Sequence, residues 1–187
     1  MTRNIVALIC LLMLVTNSFG QSKKKKKADS LQTLQTINWI TFNQAVEQCK
    51  KEPRKIIIDV FTDWCGWCKH MDATTFKNPV IVKYINEKYY AVKLNAEMHD
   101  TIIFNNTTFV NPVQGGRGTH QLATALLNNK LSYPTTVYLD ENFGMLSPVP
   151  GYLDAPTLEM ILNYYGDGAY KTTKWDEFQK SFVSVTK

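Results

Sequence analysis

The chain has 187 residues, 44% of them hydrophobic, so it is long enough for one well-packed core and too short for two ordinary domains. Its net charge of +5 arises at the N-terminus, because six of the 21 Lys and Arg side chains lie within residues 1–27 and the others nearly balance the 16 Asp and Glu side chains. A near-neutral body lacks the clustered basic surface of a nucleic-acid-binding protein.

The N-terminal residues are predicted to precede the folded domain. An apolar run over residues 5–15, followed by small residues ending at Gly20, predicts that residues 1–20 are a cleaved signal peptide. The run is shorter than the ~20 residues that span a bilayer, which makes a membrane anchor the weaker alternative. Residues 21–36 contain five consecutive lysines and few large apolar side chains, so we expect a flexible leader, whose lysines could alternatively contact anionic lipid. The domain is then residues 37–187, in a periplasmic or secreted protein.

Export changes how the cysteines are interpreted, because an oxidising compartment permits disulfides. Cleavage of the signal peptide leaves Cys49, Cys65 and Cys68. An odd number is unsuited to a structural disulfide framework, whereas two cysteines separated by two residues suit reversible redox chemistry. Cys49 lies on the apolar face of a predicted helix and is interpreted as a core residue.

Hydrophobic periodicity and turn signals predict alternating strands and helices in the first half of the domain. In chain order they are a strand over 37–40, a helix over 42–49 ended by Pro53, a strand over 55–62, a helix that begins at the cysteine pair and carries Met71 and Thr75, a helix capped by Asn78-Pro79 with Ile81, Tyr84, Ile85 and Lys88 facing the core, and a strand over 89–94.

The second half begins with residues 95–118, which are too polar and glycine-rich for a definite prediction. They could hold a short helix near Ile102 and Phe104. The elements predicted after it are a helix over 119–128, a strand over 135–139, a turn at Asn142-Phe143-Gly144 into an antiparallel strand reaching Tyr152, a helix beginning near Pro156 and a last helix with Trp175, Phe178 and Phe182.

The chemistry expected of the cysteine pair follows from its place at the start of a helix. Thiol–disulfide exchange requires a thiolate, and the free backbone N–H groups at a helix N-terminus stabilise an anion. Cys65 would receive that stabilisation, while Cys68 would be shielded one turn further along. We therefore expect Cys65 to attack a partner disulfide and Cys68 to resolve the mixed disulfide.

Three separate segments resemble the thioredoxin family. Residues 57–69, which end in Trp64-Cys65-Gly66-Trp67-Cys68-Lys69, are similar to the active-site segment of thioredoxins, including an acid, Asp59, six residues before the first cysteine. Lys93 matches the strand lysine that neighbours this acid, and Tyr133-Pro134-Thr135 resembles the cis-proline loop. The resemblance covers roughly residues 37–165. With the string Trp64 to Lys69, the chain looks like the exported thioredoxin-like proteins of bacteria.

The resemblance implies an α/β thioredoxin fold, with a central mixed β-sheet flanked by helices, an insertion before the cis-proline strand and an extra C-terminal helix. It implies that Asp59 deprotonates Cys68 and that Lys93 tunes Asp59. Burial in such a strand should raise the pKa of the Asp59 carboxyl. Alternatively, Asp59 is a strand-end acid satisfied by Lys93, and Pro134 only begins a strand.

The resemblance also implies a substrate surface beside the dithiol. The cis-proline loop, Tyr133 and Pro134, would hold an extended substrate. Trp64, Gly66 and Trp67 would complete the rim, although both tryptophans could instead be ordinary packing residues. Trp67 replaces the proline that the family usually has before the second cysteine. The segment over residues 96–117 is longer than in a minimal thioredoxin.

Two other interpretations of Cys65 and Cys68 are a static disulfide and half of a zinc site completed by His70 with His99 or His120. A second closely spaced ligand pair is absent from the sequence, which disfavours zinc, so we expect neither a metal nor a cofactor.

The sequence thus predicts a thiol:disulfide oxidoreductase that reduces or rearranges disulfides in exported clients through Cys-Gly-Trp-Cys, rather than an oxidase. The expected partners are disulfide-containing exported proteins and a membrane electron donor, with no nucleic acid, and the protein is expected to be a monomer. The alternative function is a non-catalytic thioredoxin-fold module that binds extended or unfolded polypeptides.

Overall fold

The structure is a computed structural model, and it describes residues 36–186. The predicted signal peptide and residues 21–35 of the predicted leader lie outside the described residues. Within residues 36–186, no helix has the length and apolar character needed to cross a membrane.

The described chain alternates strands and helices from Trp39 onward. In order these are β1 (Trp39–Ile40), α1 (Phe42–Lys51), β2 (Lys55–Phe61), α2 (Gly66–Ala73), a 3₁₀ turn (Thr75–Lys77), α3 (Pro79–Lys88), β3 (Tyr89–Asn95), β4 (Ile102–Phe104), β5 (Thr107–Phe109), α4 (Gln121–Leu126), β6 (Thr135–Leu139), β7 (Met145–Pro150), α5 (Ala155–Gly166), a 3₁₀ turn (Ala169–Lys171) and α6 (Trp175–Ser181).

The central element is a five-stranded mixed sheet with the order β1-β3-β2-β6-β7. β1 and β2 run parallel to β3, whereas β6 is antiparallel to both β2 and β7. This confirms the predicted mixed sheet and the predicted antiparallel hairpin of the last two strands. The C-terminal end of β2 and the N-terminal end of β6 consequently lie at the same edge of the sheet.

Both faces of the sheet are covered, as the continuous β-branched run of β2 predicts. Ile56, Ile58 and Val60 point to a core that includes side chains of α1 and α4. Ile57 points to the opposite core, which α2, α3 and α5 cover. Because side chains alternate along a strand, Asp59 shares the face of Ile57 and lies on the side covered by α2.

The prediction of a short helix near Ile102 and Phe104 is wrong. The segment instead forms the antiparallel hairpin β4–β5, in which Phe104 pairs with Thr107. The connecting residues, Asn105 and Asn106, have φ values of +48° and +59°. Asparagine tolerates this left-handed backbone better than most residues, and two such residues in succession favour a tight hairpin turn.

Several local predictions hold and a few need correction. Asn78 caps α3, its side chain accepting from Val80 N–H at 2.9 Å, and Cys49 is buried in the core as expected. Thr75 lies in the 3₁₀ turn after α2 rather than in the helix. Lys88, predicted on the core face of α3, is exposed and pairs with Asp167 because an ammonium gains more from water and a carboxylate than from burial.

The C-terminal tail is fastened to α5 by one buried carboxylate, Glu159. The carboxylate accepts hydrogen bonds from the Ser184 hydroxyl at 2.5 Å, from Val185 N–H and from both the N–H and hydroxyl of Thr186. Burial by itself raises the pKa of the Glu159 carboxyl, but these hydrogen bonds outweigh burial and hold the pKa below its usual value.

Glu159→Gln should lower the free energy of unfolding at neutral pH by about 1–2 kcal/mol, because the tail loses charge-assisted hydrogen bonds. A carboxyl whose folded pKa is lowered stabilises the fold above its unfolded pKa, and this stability is lost as the pH falls through the folded pKa. The difference between variant and wild type should therefore vanish in acid. Urea denaturation across pH measures this, and hydrogen exchange of the Val185 and Thr186 amides should accelerate.

Glu87→Gln is the matched control, since the contact that the Glu87 carboxylate makes within residues 36–186 is an exposed ion pair with Lys83. Its effect should stay below about 0.5 kcal/mol. Equal effects of the two variants at neutral pH would show that Glu159 does not fasten the tail.

Candidate active site

The cysteine pair lies where β2 ends and α2 begins. The turn between them is closed by a hydrogen bond from Cys65 N–H to the Thr62 carbonyl at 3.1 Å. Cys65 then occupies the N-cap position of α2, and its Sγ accepts a hydrogen bond from Cys68 N–H at 3.0 Å. A sulfur atom thus takes the place that a Ser or Asp oxygen usually has at a helix N-terminus.

Cys65 and Cys68 form a disulfide, and Cys49 is a separate buried free thiol. Both disulfide cysteines are buried, with exposed fractions of 5% and 3%. The expected contrast between an open first cysteine and a shielded second one is small here. What distinguishes the two is position, since Cys65 caps the helix and Cys68 lies inside its first turn.

Asp59 and Lys93 are directly opposite each other in the parallel pairing of β2 with β3. Lys93 Nζ donates to Asp59 Oδ2 at 2.6 Å, and Asp59 is only 1% exposed. Burial raises the pKa of the Asp59 carboxyl, and the Lys93 ammonium opposes this without cancelling it. The carboxyl predicted from the sequence is therefore an acid that holds its proton more tightly than an exposed aspartate does.

Lys93 has a second carboxylate partner that sequence reasoning missed. Its ammonium also donates to Asp72 Oδ1 in α2, so one lysine joins the central sheet to the helix that carries the cysteines. The rings of Trp39, Phe61 and Phe76 surround the same ammonium at 4.9–5.3 Å. Asp72 lies four residues after Cys68, which places both on one face of α2, but this spacing does not indicate that the face meets Lys93.

The Tyr133–Pro134 peptide bond is cis, as the resemblance implied. Pro134 is buried and immediately precedes β6, whose Thr135 pairs with Val60 near the end of β2. The antiparallel register therefore brings the proline loop to the edge of the sheet from which the cysteines emerge. The Pro134 carbonyl accepts from Gly151 N–H at 2.8 Å, so it is already engaged within the protein.

Two exposed aromatic groups flank the dithiol. Trp64 is 52% exposed and Trp67 is 61% exposed, which favours a surface role for both over core packing. Trp67 contacts His70 and Tyr152, with ring centroids 5.6 Å and 5.3 Å away, and His70 and Tyr152 also contact each other. Tyr152 lies in the connection after β7, and its contact with Trp67 was not predicted from the sequence.

Gly66, the residue after Cys65, is open to its surroundings. A Cβ atom built on Gly66 would meet no other atom within 4 Å, and the residue is exposed. The backbone between the cysteines is therefore accessible to an approaching polypeptide.

The structure does not bring the histidines of the zinc interpretation together with the cysteines. Both ring nitrogens of His120 are engaged elsewhere, Nε2 with the Asp100 carbonyl at 2.9 Å and Nδ1 with Leu122 N–H at 3.1 Å. Across residues 36–186, no group of three or more His, Cys, Asp or Glu side chains is arranged to hold a metal ion.

Asp59→Asn should raise the free energy of unfolding at neutral pH by about 1–3 kcal/mol, because it removes a buried charge. Since the folded pKa of Asp59 is raised, the folded state holds the proton more tightly, and wild-type stability falls as the pH rises from the unfolded pKa through the folded one. The advantage of the variant should therefore grow over that window and disappear in acid. Urea denaturation at a series of pH values measures it.

Asp72→Asn is the matched control, because its side chain is 44% exposed and it contacts the same lysine. We expect its effect to stay below about 1 kcal/mol. An Asp59→Asn protein that is less stable than wild type at neutral pH would contradict a net cost of the buried charge.

Comparisons with known proteins identify the family of the chain and its relatives. A family model described as "Thioredox_DsbH: Protein of unknown function, DUF255" matches residues 23–161. Thiol:disulfide interchange protein DsbD of Escherichia coli K12 is 26% identical over 161 residues, which are 83% of this chain and 24% of that protein. Spermatogenesis-associated protein 20 of Mus musculus is 29% identical over 83 residues, 44% of this chain and 10% of that protein. The chain thus spans a quarter or less of the length of these relatives.

Solved structures show the fold. A thioredoxin-fold protein from Helicobacter pylori superposes with a TM-score of 0.51 at 21% identity, over 68% of this chain and 79% of that one. A thioredoxin from Thermus thermophilus superposes with a TM-score of 0.53 at 11% identity, over 80% of this chain and 99% of that one. The predicted thioredoxin fold is confirmed.

Proposed function

Because the chain belongs to the Thioredox_DsbH family of thioredoxin-fold proteins, we propose that it is a thiol:disulfide oxidoreductase acting through Cys65 and Cys68. The observation that carries the proposal is the disulfide at the start of α2, in which Cys65 Sγ accepts the Cys68 N–H. A backbone donor aimed at the first sulfur is what a reactive thiolate needs.

In the first step, the Cys65 thiolate of the reduced protein attacks one sulfur of a partner disulfide. A bond forms between Cys65 and the partner, and the second partner sulfur leaves as a thiolate. The negative charge on Cys65 before attack is stabilised by the Cys68 N–H and by the α2 dipole. This stabilisation requires no cationic side chain.

In the second step, the Cys68 thiol loses its proton and attacks Cys65 Sγ, which closes the protein disulfide and releases the partner's remaining thiolate. Two electrons have then passed to the partner. We assign the proton to Asp59, whose Oδ1 is buried without a hydrogen-bond partner among the described residues. Its raised pKa makes the carboxylate a better base than an exposed aspartate, and Lys93 limits the shift.

The surface around the dithiol supports an extended polypeptide as substrate. Trp64 and Trp67, on either side of Cys65 in the sequence, expose aromatic surface, and Gly66 between them in the sequence leaves the backbone accessible. Since the Pro134 carbonyl is engaged by Gly151, we assign the main-chain hydrogen bonds to substrate to Tyr133. Backbone recognition of this kind admits many sequences.

We further propose that the clients are disulfide-containing proteins outside the cytoplasm, in the periplasm or secreted, and that a membrane electron donor returns the protein to its dithiol form. Reduction or rearrangement is favoured over oxidation, because Asp59 and Lys93 equip the protein to release a client by resolution. The thiol:disulfide interchange activity named for the DsbD relative supports the same chemistry.

Cys68→Ser should stop the reaction after the first step, so that client proteins accumulate as mixed disulfides with Cys65. The variant, expressed with its N-terminal segment, is analysed by non-reducing electrophoresis and mass spectrometry of the exported fraction. The adducts should disappear on treatment with dithiothreitol. A lack of adducts in every fraction would contradict the assigned order of the cysteines.

The variant with both cysteines replaced by serine is the control. It should form no adducts, and it should lose reduction of a disulfide-bonded peptide by dithiothreitol, as Cys65→Ser alone should. If the double variant bound the peptide with wild-type affinity while the wild type catalysed nothing, the non-catalytic binding module would be the better account.

Asp59→Asn should slow the second step by about 100-fold, because Cys68 then loses its proton acceptor. In the wild type, the rate of resolution should rise as the pH increases through the Asp59 pKa and level off above it, and the variant should lack this inflection. Rapid acid quenching of the mixed disulfide with a peptide follows the step directly. An unchanged inflection in Asp59→Asn would assign the proton to another group.

A further inference from the structure

The connection from β3 to α4, residues 96–120, is a built structure. The Asn111 amide donates to three backbone carbonyls, those of Glu97 at 3.3 Å, Met98 at 3.2 Å and Gly118 at 2.7 Å. A Cβ at Gly118 would lie 2.3 Å from Asn111 Oδ1, so only glycine fits there. The two ends of the connection are therefore held against each other.

Both ends of this connection contact the tryptophan that precedes Cys65. Trp64 Nε1 donates to Glu97 Oε1 at 2.9 Å. The Arg117 guanidinium lies over the face of the same indole, 5.7 Å from the ring centroid. The edge of Tyr133 meets the indole from the proline loop, with centroids 5.9 Å apart. Three neighbours thus fix the indole.

These contacts orient the indole without burying it. Trp64 remains 52% exposed, so a contribution to core stability does not account for a hydrogen bond, a cation–π contact and an aromatic contact on one side chain. An exposed indole held in one orientation next to a reactive cysteine presents a rigid surface to a partner, which lowers the entropy lost on binding.

Arg117 also has charge available for a partner. Its side chain is exposed, and within residues 36–186 it takes part in no salt bridge. A guanidinium that lies over an aromatic face keeps its N–H donors free at the edge, where they suit a carboxylate. A partner chain passing beside Trp64 would bring its own side chains to this edge.

We propose that Glu97 and Arg117 are positioning residues that hold the exposed Trp64 indole beside Cys65, and that Arg117 makes this surface favour partner disulfides with a neighbouring acidic residue. This inference rests on the proposed function. It concerns which partners react with Cys65 and leaves the exchange chemistry unchanged.

The first test examines the hydrogen bond from Trp64 to Glu97. The Trp64 indole N–H resonance is identified by its loss in Trp64→Phe. Glu97→Leu should shift this resonance and lower the second-order rate of reduced protein with a disulfide-bonded peptide about 3- to 5-fold, in proportion to a contact worth about 1 kcal/mol. Glu97→Gln keeps an acceptor oxygen and should restore both. The rate with uncharged hydroxyethyl disulfide, which has no polypeptide to contact Trp64 or Arg117, should not change.

The second test examines charge selection. Two peptides share one disulfide, with either Glu or Lys on both sides of it. The wild type should react faster with the Glu peptide, and Arg117→Gln should remove about 3- to 5-fold of this preference, the value of an exposed ion pair. Lys51→Gln is the matched control, because Lys51 is exposed at the end of α1. It precedes the N-terminal end of β2, whereas Cys65 follows the C-terminal end.

The outcomes separate the two levels of the proposal. Charge selection by Arg117 is overturned if the wild type reduces hydroxyethyl disulfide but reduces the Glu and Lys peptides at equal rates. It is also overturned if Arg117→Gln and Lys51→Gln have the same effect on the preference between the peptides. If Glu97→Leu leaves the Trp64 resonance and the peptide rate unchanged, positioning by Glu97 is overturned. If wild type reduces no disulfide, the proposed function fails, and the selection proposal fails with it.

Discussion

The hydrogen bond from Cys68 N–H to Cys65 Sγ is the contact on which the candidate site depends. It exists because β2 ends at Phe61, a four-residue turn follows, and α2 begins immediately after Cys65. At a helix N-terminus the first N–H groups have no partner within the helix. Here one of them is satisfied by a sulfur, so that the same bond caps the helix and supports a negative charge on the atom that would attack.

The buried carboxylate of Asp59 destabilises the fold, and the rest of the sheet has to offset this cost. Asp59 lies in the central strand, between two strands, where apolar side chains would stabilise more. Lys93 reduces the cost, and because it also contacts Asp72 it couples the sheet to α2. Aromatic rings around the ammonium limit its hydration and favour its contacts with the carboxylates. A residue this unfavourable for stability fits the proton transfer that we propose for Asp59.

The sequence predicted those features that local pattern determines. The apolar run of β2 indicated a strand covered on both faces, Asn78-Pro79 indicated a helix start, and the spacing of Cys65 and Cys68 indicated the dithiol. The β4–β5 hairpin was missed because its first strand is a run of three apolar residues, Ile102, Ile103 and Phe104, and so short a run does not distinguish a strand from a helix. The two asparagines of its turn, Asn105 and Asn106, were the residues in the sequence that indicated a hairpin.

The contacts that the sequence could not predict join residues distant along the chain. Trp64 and Glu97 are 33 positions apart, and Lys93 and Asp72 are 21 apart. Periodicity and spacing describe one element at a time, so they cannot state which side chain from a polar, glycine-rich connection will reach a given indole. Such contacts follow only from the strand order, which brings the end of β3 beside the end of β2.

The residues assigned to the chemistry and the residues that surround the dithiol come from different parts of the fold. The groups assigned to chemistry, Cys65, Cys68, Asp59 and Lys93, lie on or next to central strands, where packing on both faces fixes them. The groups that surround the dithiol come from connections: the β3–α4 connection holds Trp64, and the segment after β7 supplies Tyr152. Connections can change length and charge without disturbing the sheet. Partner choice can therefore vary while the exchange reaction is kept, because the two depend on different parts of the fold.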